Sequence, residues 1–129
     1  MMRALFLVIL CSFMFTTSLF AQSVSLLVST FEKANAALLT DQLNREVNFI
    51  YGTEDLNCTK VQFITQLNNF LRQNSPKSFV VVHEGGKADS KFVIGVLTTN
   101  RSDFRVHFFY KKINNQYLIH QVRIESSNE

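Results

Sequence analysis

Four β-rich segments crowd into the last third of the chain, and the gaps between them are too short for anything but hairpins. Phe79–Glu84, Lys91–Thr99, Phe104–Lys112 and Tyr117–Glu125 are rich in Val, Ile, Phe and Tyr, which suit a pleated, half-buried surface. The breaks are Gly85–Ser90, Asn100–Asp103 and Ile113–Asn115. A parallel crossover needs far more chain, so neighbours must be antiparallel and the stretch a meander. Whatever precedes it must cover one face of that sheet.

Side chains alternate across a strand, so a one-residue slip turns a buried set outward and the apolar pattern selects the register. A two-residue turn at Asn114-Asn115 would group His107, Phe109 and Lys111 with Leu118, His120 and Val122, mixing charge into the apolar face. A three-residue loop with a bulge instead aligns Phe104, Val106, Phe108 and Tyr110 with Ile124, Val122, His120 and Leu118, and this register is preferred. Across the Asn100–Asp103 loop it adds Val93, Gly95, Leu97 and Thr99, with Gly95 opposite Phe108; a missing side chain beside a large ring is sensible packing. Tyr110 and His120 then share the core face, one diagonal step apart, and His107 lies on the other side. That other side carries Phe92, Ile94, Val96, Phe109 and Ile119, with nothing left in the chain to cover it. This predicts a homodimer through the outer sheet face.

The N-terminus has the form of a signal peptide: Met1-Met2-Arg3, then an uncharged apolar run from Ala4 to Phe20, then Ala21 as a small residue at the cut. The alternative is a retained membrane anchor, for which the run is near the shortest spanning length and contains Ser12, Thr16, Thr17 and Ser18. Cys11 lacks the preceding small residue of a lipoprotein site. The expected organisation is 1–21 as signal peptide and 22–129 as a single domain, exported to the periplasm or beyond, with no membrane contact after cleavage. The formal charge of the whole chain is only +3, too even for a nucleic-acid binder with a clustered basic face. Cleavage leaves Cys58 as the lone cysteine, so the fold must rest on its core rather than on an internal disulfide. No Cys/His spacing suits zinc, and no cofactor motif is present.

After the leader, Val24, Leu27, Val28 and Phe31 recur at helical spacing and predict a helix to about Ala34. Asn35 is a good N-cap for a short second helix over 36–43. Val47–Tyr51 reads as a strand stopped by Gly52–Asp55, and Leu56–Cys58 as a short extended piece. Thr59-Lys60-Val61-Gln62 fits a capping box. A helix follows with Phe63, Ile64, Leu67, Phe70 and Leu71 on one stripe, ending near Asn74 because Pro76 disfavours helical geometry at Ser75. The predicted class is α+β, with the order α-α-β-α-β-β-β-β and a strongly curved, mainly antiparallel sheet wrapped on the N-terminal helices. Such a sheet closes into a cone whose mouth is a natural pocket.

This order resembles that of the nuclear transport factor 2-like superfamily. More narrowly, the chain is similar to the exported bacterial family known as domain of unknown function 4783. The stretches that carry the likeness are Asn35-Ala36, Pro76-Lys77-Ser78-Phe79, Val82-His83-Glu84-Gly85, Ile94 through Thr99, Phe104-Arg105-Val106, Tyr117-Leu118-Ile119 and Arg123-Ile124-Glu125. The likeness covers essentially the whole mature chain and assigns no chemistry. The superfamily includes isomerases and dehydratases beside many non-catalytic modules. Its isomerases are known for an Asp base with a Tyr/Asp oxyanion pair; this chain supplies Tyr110 on the pocket face and no carboxylate beside it.

The best acid–base pair in the predicted register is His120 with Tyr110, an imidazole that titrates near neutrality and a phenol that can donate to an oxyanion. Against it stands the plain reading of a packed ring and a satisfied core histidine. Tyr110, His120, Phe108, Thr99 and Tyr51 are the expected lining of a ligand pocket. His83-Glu84 sits at a strand end, where adjacent residues face opposite ways, and Lys111-Lys112 with Arg123 make a modest basic patch. The leading expectation is an exported non-catalytic module that binds a small apolar ligand or a protein partner. The alternatives are a small isomerase or dehydratase using the His/Tyr pair, and a purely structural homodimeric subunit. With thirteen Phe and no Trp, a cone filled by its own rings is also open.

Overall fold

A computed structural model describes residues 19–127. Helix α1, Leu19–Glu32, is followed by a 3₁₀ helix, Ala36–Gln42, strands β1, Leu43–Tyr51, and β2, Glu54–Thr59, and helix α2, Lys60–Gln73. The meander then runs through β3, Pro76–Lys87, β4, Ser90–Thr99, β5, Asp103–Ile113, and β6, Gln116–Ser126. All six strands form one sheet in the order β2-β1-β6-β5-β4-β3. Every pair is antiparallel except β1 with β6. The expected curved, mainly antiparallel α+β sheet is present. The extended piece at 56–58 proves to be a full strand that closes a hairpin with β1. The predicted leader lies outside the described residues up to position 18; its last three residues, Leu19, Phe20 and Ala21, form the first turn of α1.

The helices form where local chemistry directs them. Asn35 accepts a hydrogen bond from the Ala37 N–H and starts the 3₁₀ turn, as an N-cap should. Thr59 and Gln62 make both bonds of the capping box, and α2 stops at Gln73, three residues before Pro76. One face of α1 buries Ser23, Leu27, Thr30 and Phe31, and one face of α2 buries Phe63, Leu67, Phe70 and Leu71. These meet Val93, Leu97, Phe104, Val106, Phe108, Tyr110, Val122 and Ile124 from the sheet, while Arg105 and Arg123 are exposed. The inward and outward sets of β4 and β5 are therefore those read from the alternation.

The β5–β6 register differs from the prediction. The turn is the two-residue one: Ile113 pairs with Gln116, and Asn114 and Asn115 have φ of 50° and 63°, the left-handed pair a tight hairpin turn requires. The bulge sits inside β6 instead. Phe109 pairs with Gln121 and Tyr110 with Ile119, leaving His120 as the extra residue. A bulge reverses the facing of everything on one side of it, so Ile119, expected on the outer face, is fully buried. Phe108 pairs with Val122 and Val106 with Ile124. The β4–β5 pairing is separately shifted by two residues, so Gly95 stands opposite Val106, not Phe108, and the ring it accommodates is that of Phe79 on β3. At the far end of β6, Ser126 is still in the strand and the Ser127 N–H bonds to the Asp103 carbonyl at 3.1 Å.

Candidate functional site

The interior of the cone is occupied by aromatic side chains. Phe31 stacks on Phe79 with centroids 4.3 Å apart and meets Phe108 edge-on at 6.0 Å. Phe49 meets Phe63 at 5.8 Å, and Phe70 meets Phe104 at 5.0 Å. Phe108 is thus a packing residue with no exposed surface. Thr99 is spent on the β4–β5 loop: its hydroxyl donates to the Ser102 carbonyl at 2.7 Å and accepts from the Arg101 and Ser102 N–H groups, each at 3.1 Å. Tyr51 is 37% exposed and stands edge-on to Phe70 at 5.1 Å. It lines a shallow cleft of about 500 Å³ with Phe104 and Arg123.

Tyr110 and His120 are not a pair. Tyr110 is buried on the core face, whereas the bulge places His120 beside Phe109, ring centroids 6.5 Å apart, on the outer face. The two-residue turn and the bulge inside β6 thus put the candidate pair on opposite faces, where the bulged three-residue turn preferred from the sequence places them together. Sequence signals for it existed. Asn114-Asn115 is a left-handed-tolerant dipeptide, and Leu118-Ile119 offers an apolar residue to either parity.

The outer face gathers all three histidines. His83, Ile94, His107 and Arg123 are cross-strand neighbours in one row. His83 packs on Phe92 at 5.3 Å and His107 on Phe109 at 6.4 Å. His107 Nε2 is 3.6 Å from the Glu125 carboxylate and has no hydrogen-bond partner. Burial is the main force lowering the His107 pKa; Glu125 opposes it, and Arg123 and Arg105 add to it. His120 is also lowered, by burial and then by Lys111. Both rings are therefore held toward the neutral form. No group of three or more His, Cys, Asp or Glu side chains fit to hold a metal ion occurs among the described residues. Cys58 is buried, and burial raises its thiol pKa, the behaviour of a packed and unreactive thiol.

On the core side, a second group stands at the mouth of the cone. Lys91 and Tyr110 are cross-strand partners, and Tyr110 pairs in turn with Ile119. The Tyr110 hydroxyl is buried with no hydrogen-bond partner, and burial drives its pKa far upward. The Phe20 ring from α1 packs over it edge to face at 5.2 Å, touches Tyr117 at 5.4 Å, and lies under the Lys91 ammonium, 5.9 Å from the ring centroid. A neighbouring cleft of about 210 Å³ is bordered by Tyr117, Gln22, Asp41 and Gln42. The Gln42 Oε1 is also buried without a partner. Sequence reading missed this group because Phe20 counted as part of the leader.

The sequence matches the family described as Domain of unknown function (DUF4783) over residues 24–125. The crystal structure of a DUF4783 family protein from Bacteroides ovatus is similar at 35% identity and a TM-score of 0.76, covering 81% of this chain and 94% of that one. One from Bacteroides uniformis is similar at 31% identity and a TM-score of 0.77, covering 81% and 97%. An NTF-2 like protein of unknown function from Silicibacter pomeroyi shares the fold at 9% identity and a TM-score of 0.64, covering 83% and 92%. No curated protein matches the sequence.

Proposed function

The chain belongs to the DUF4783 family, and from that premise we propose that it is an exported, non-catalytic interaction module that pairs with a second copy of itself through the outer face of its sheet. The observation that carries the reading is the contrast between the two faces. The inner face is closed by Phe31, Phe63, Phe79 and Phe108. On the outer face Val80 and Val82 are 57% and 53% exposed beside half-buried Phe92, Ile94, Val96 and Phe109. Apolar side chains contiguous over three strands are unusual on a lone monomer's surface. A two-fold axis laid over Ile94 would bring apolar strip against apolar strip, the self-complementary arrangement of an isologous dimer.

A binding role is favoured over catalysis because the acid–base pair offered by the sequence is split between opposite faces. Export is supported by the basic start and the uncharged apolar run that precede the domain. Light scattering at micromolar concentration tests the pairing. A mass of two chains is expected, falling to one chain in Ile94→Arg with the far-ultraviolet circular dichroism unchanged. A monomeric parent protein would overturn it. Export is tested by periplasmic fractionation and the intact mass of the recovered protein.

A further inference from the structure

The Phe20 ring fills the mouth of the cone, and the cut predicted after Ala21 lies one residue beyond it. Phe20 is the last large leader side chain packed against the domain core. Beneath it lies a phenol hydroxyl that the unprocessed chain buries without a partner. A buried hydroxyl left unpaired is destabilising, because it has given up water without gaining a partner. A second orphan, the Gln42 Oε1, borders the cleft that shares Tyr117 with this slot. The unsatisfied phenol, an ammonium and two aromatic walls surround a side chain that export would remove, and the second unsatisfied atom lies in the cleft alongside.

We propose that processing uncaps a ligand site: loss of residues 1–21 withdraws the Phe20 ring and leaves a slot for a small aromatic anion, floored by Tyr110, walled by Tyr117 and topped by Lys91. This rests on the export part of the reading above and not on the pairing of the outer face. The ring itself shows the shape that fits, since it already packs edge-on to both tyrosines. An apolar void of roughly 150 Å³ is enough to take up benzene, and the cleft of about 210 Å³ alongside gives room for a larger ring. Lys91 over the ring face and the Tyr110 O–H supply a cation and a donor. A charged acceptor bonded by that phenol is held about twice as strongly as a neutral one. Asp41 lies on the cleft side, so the anionic group of the ligand is directed toward Lys91. Cleavage also creates an α-ammonium on Gln22, which borders the same cleft as Asp41 and offsets its charge. Lys91, Tyr110 and Tyr117 all come from paired strands, which hold a site more rigidly than loops do.

The test starts with protein exported by its host cell, whose intact mass is expected to begin at Gln22; a mature protein that keeps Phe20 overturns the proposal. That protein is then titrated with 2-naphthoate and followed by amide chemical shifts. Saturable shifts at Lys91, Tyr110 and Tyr117 are expected. Affinity should fall about tenfold or more when Leu19-Phe20-Ala21 is left on the N-terminus. Lys91→Met should remove the preference for 2-naphthoate over the neutral 2-naphthalenemethanol, and Tyr110→Phe should weaken both. No binding, equal binding with and without Phe20, or shifts confined to the outer face would each overturn it. A correctly cut protein that fails to bind sinks the slot alone, whereas an uncut or unexported one sinks the export reading.

Discussion

The ring of Phe79 lies directly over the α-carbon of Gly95, so that a methyl group at Gly95 would overlap its outer carbons. Phe79 is in turn stacked on Phe31 of α1 and has little room to retreat. Gly95→Ala is expected to destabilise the fold by about 1–3 kcal/mol, the usual cost of overpacking a closed core. Chemical denaturation measures it. Phe79→Leu in the same chain should recover part of the loss, because the two changes share one contact and do not add. Full additivity would mean that the ring is not what Gly95 accommodates.

Beyond the end of helix α1 at Glu32 the chain turns through Ala34 at φ 50°, with the Asn35 N–H reaching back to the Thr30 carbonyl at 3.0 Å. This is the left-handed cap that glycine usually fills. An alanine there costs roughly 1–2 kcal/mol relative to its preferred conformations, and the extra freedom of an unfolded glycine gives back about 0.4–1 kcal/mol. The first effect is larger, so Ala34→Gly should stabilise the protein by about 0.5–1 kcal/mol. A melting temperature that rises by a few degrees bears this out; a fall would mean that the chain leaves the helix by another route.

The outer-face histidines set a direction for pH dependence. His107 and His120 have folded pKa values below the ordinary 6.5. Between those values and 6.5 the unfolded chain binds more protons than the folded one. Stability is therefore greatest above about 6.5 and declines as pH falls through that point toward the folded values. Melting temperature should drop between pH 7.5 and 5.5, and the drop should shrink in His107→Gln/His120→Gln. An undiminished drop would assign it to the carboxylates. If the outer face pairs two copies, the same protonation adds cations beside Arg105, Arg123 and Lys111 and should shift dimer toward monomer.

What was legible in the sequence is what local chemistry decides. Thr59 with Gln62, Asn35, and Pro76 after Asn74 each act within a few residues, and each marks its element end correctly. The apolar alternation of β4 and β5 fixes Val93, Leu97, Val106 and Phe108 inside because a slip by two residues preserves the face. The bulge at His120 was not legible. A bulge in the turn and a bulge inside β6 both keep Val122 and Ile124 buried, and they differ in the fate of Tyr117, Leu118, Ile119 and His120. Choosing between them depends on what α1 and the 3₁₀ helix press against β6, which is tertiary information. The candidate site was hidden for a different reason: its lid comes from a segment whose sequence reads as an export signal.

Tyr110 allows the plug to be weighed directly. In a chain that keeps Phe20 the hydroxyl is dry and unpaired, so Tyr110→Phe removes a penalty while leaving the ring. That substitution should stabilise such a chain by about 1 kcal/mol, at the low end of the cost of an unpaired buried polar group. In the chain that begins at Gln22, water reaches the hydroxyl and the penalty largely disappears, so the same substitution should change stability little. The difference between the two effects is a coupling energy between Phe20 and the Tyr110 hydroxyl, measurable by a double-mutant cycle in urea. A stabilisation of equal size in both chains would mean that removing the ring does not wet the slot. A loss of stability in the longer chain would mean that the hydroxyl has a partner there. A buried donor kept at a cost, next to a lid that the proposed processing would remove, is expected where activity is favoured over maximal stability.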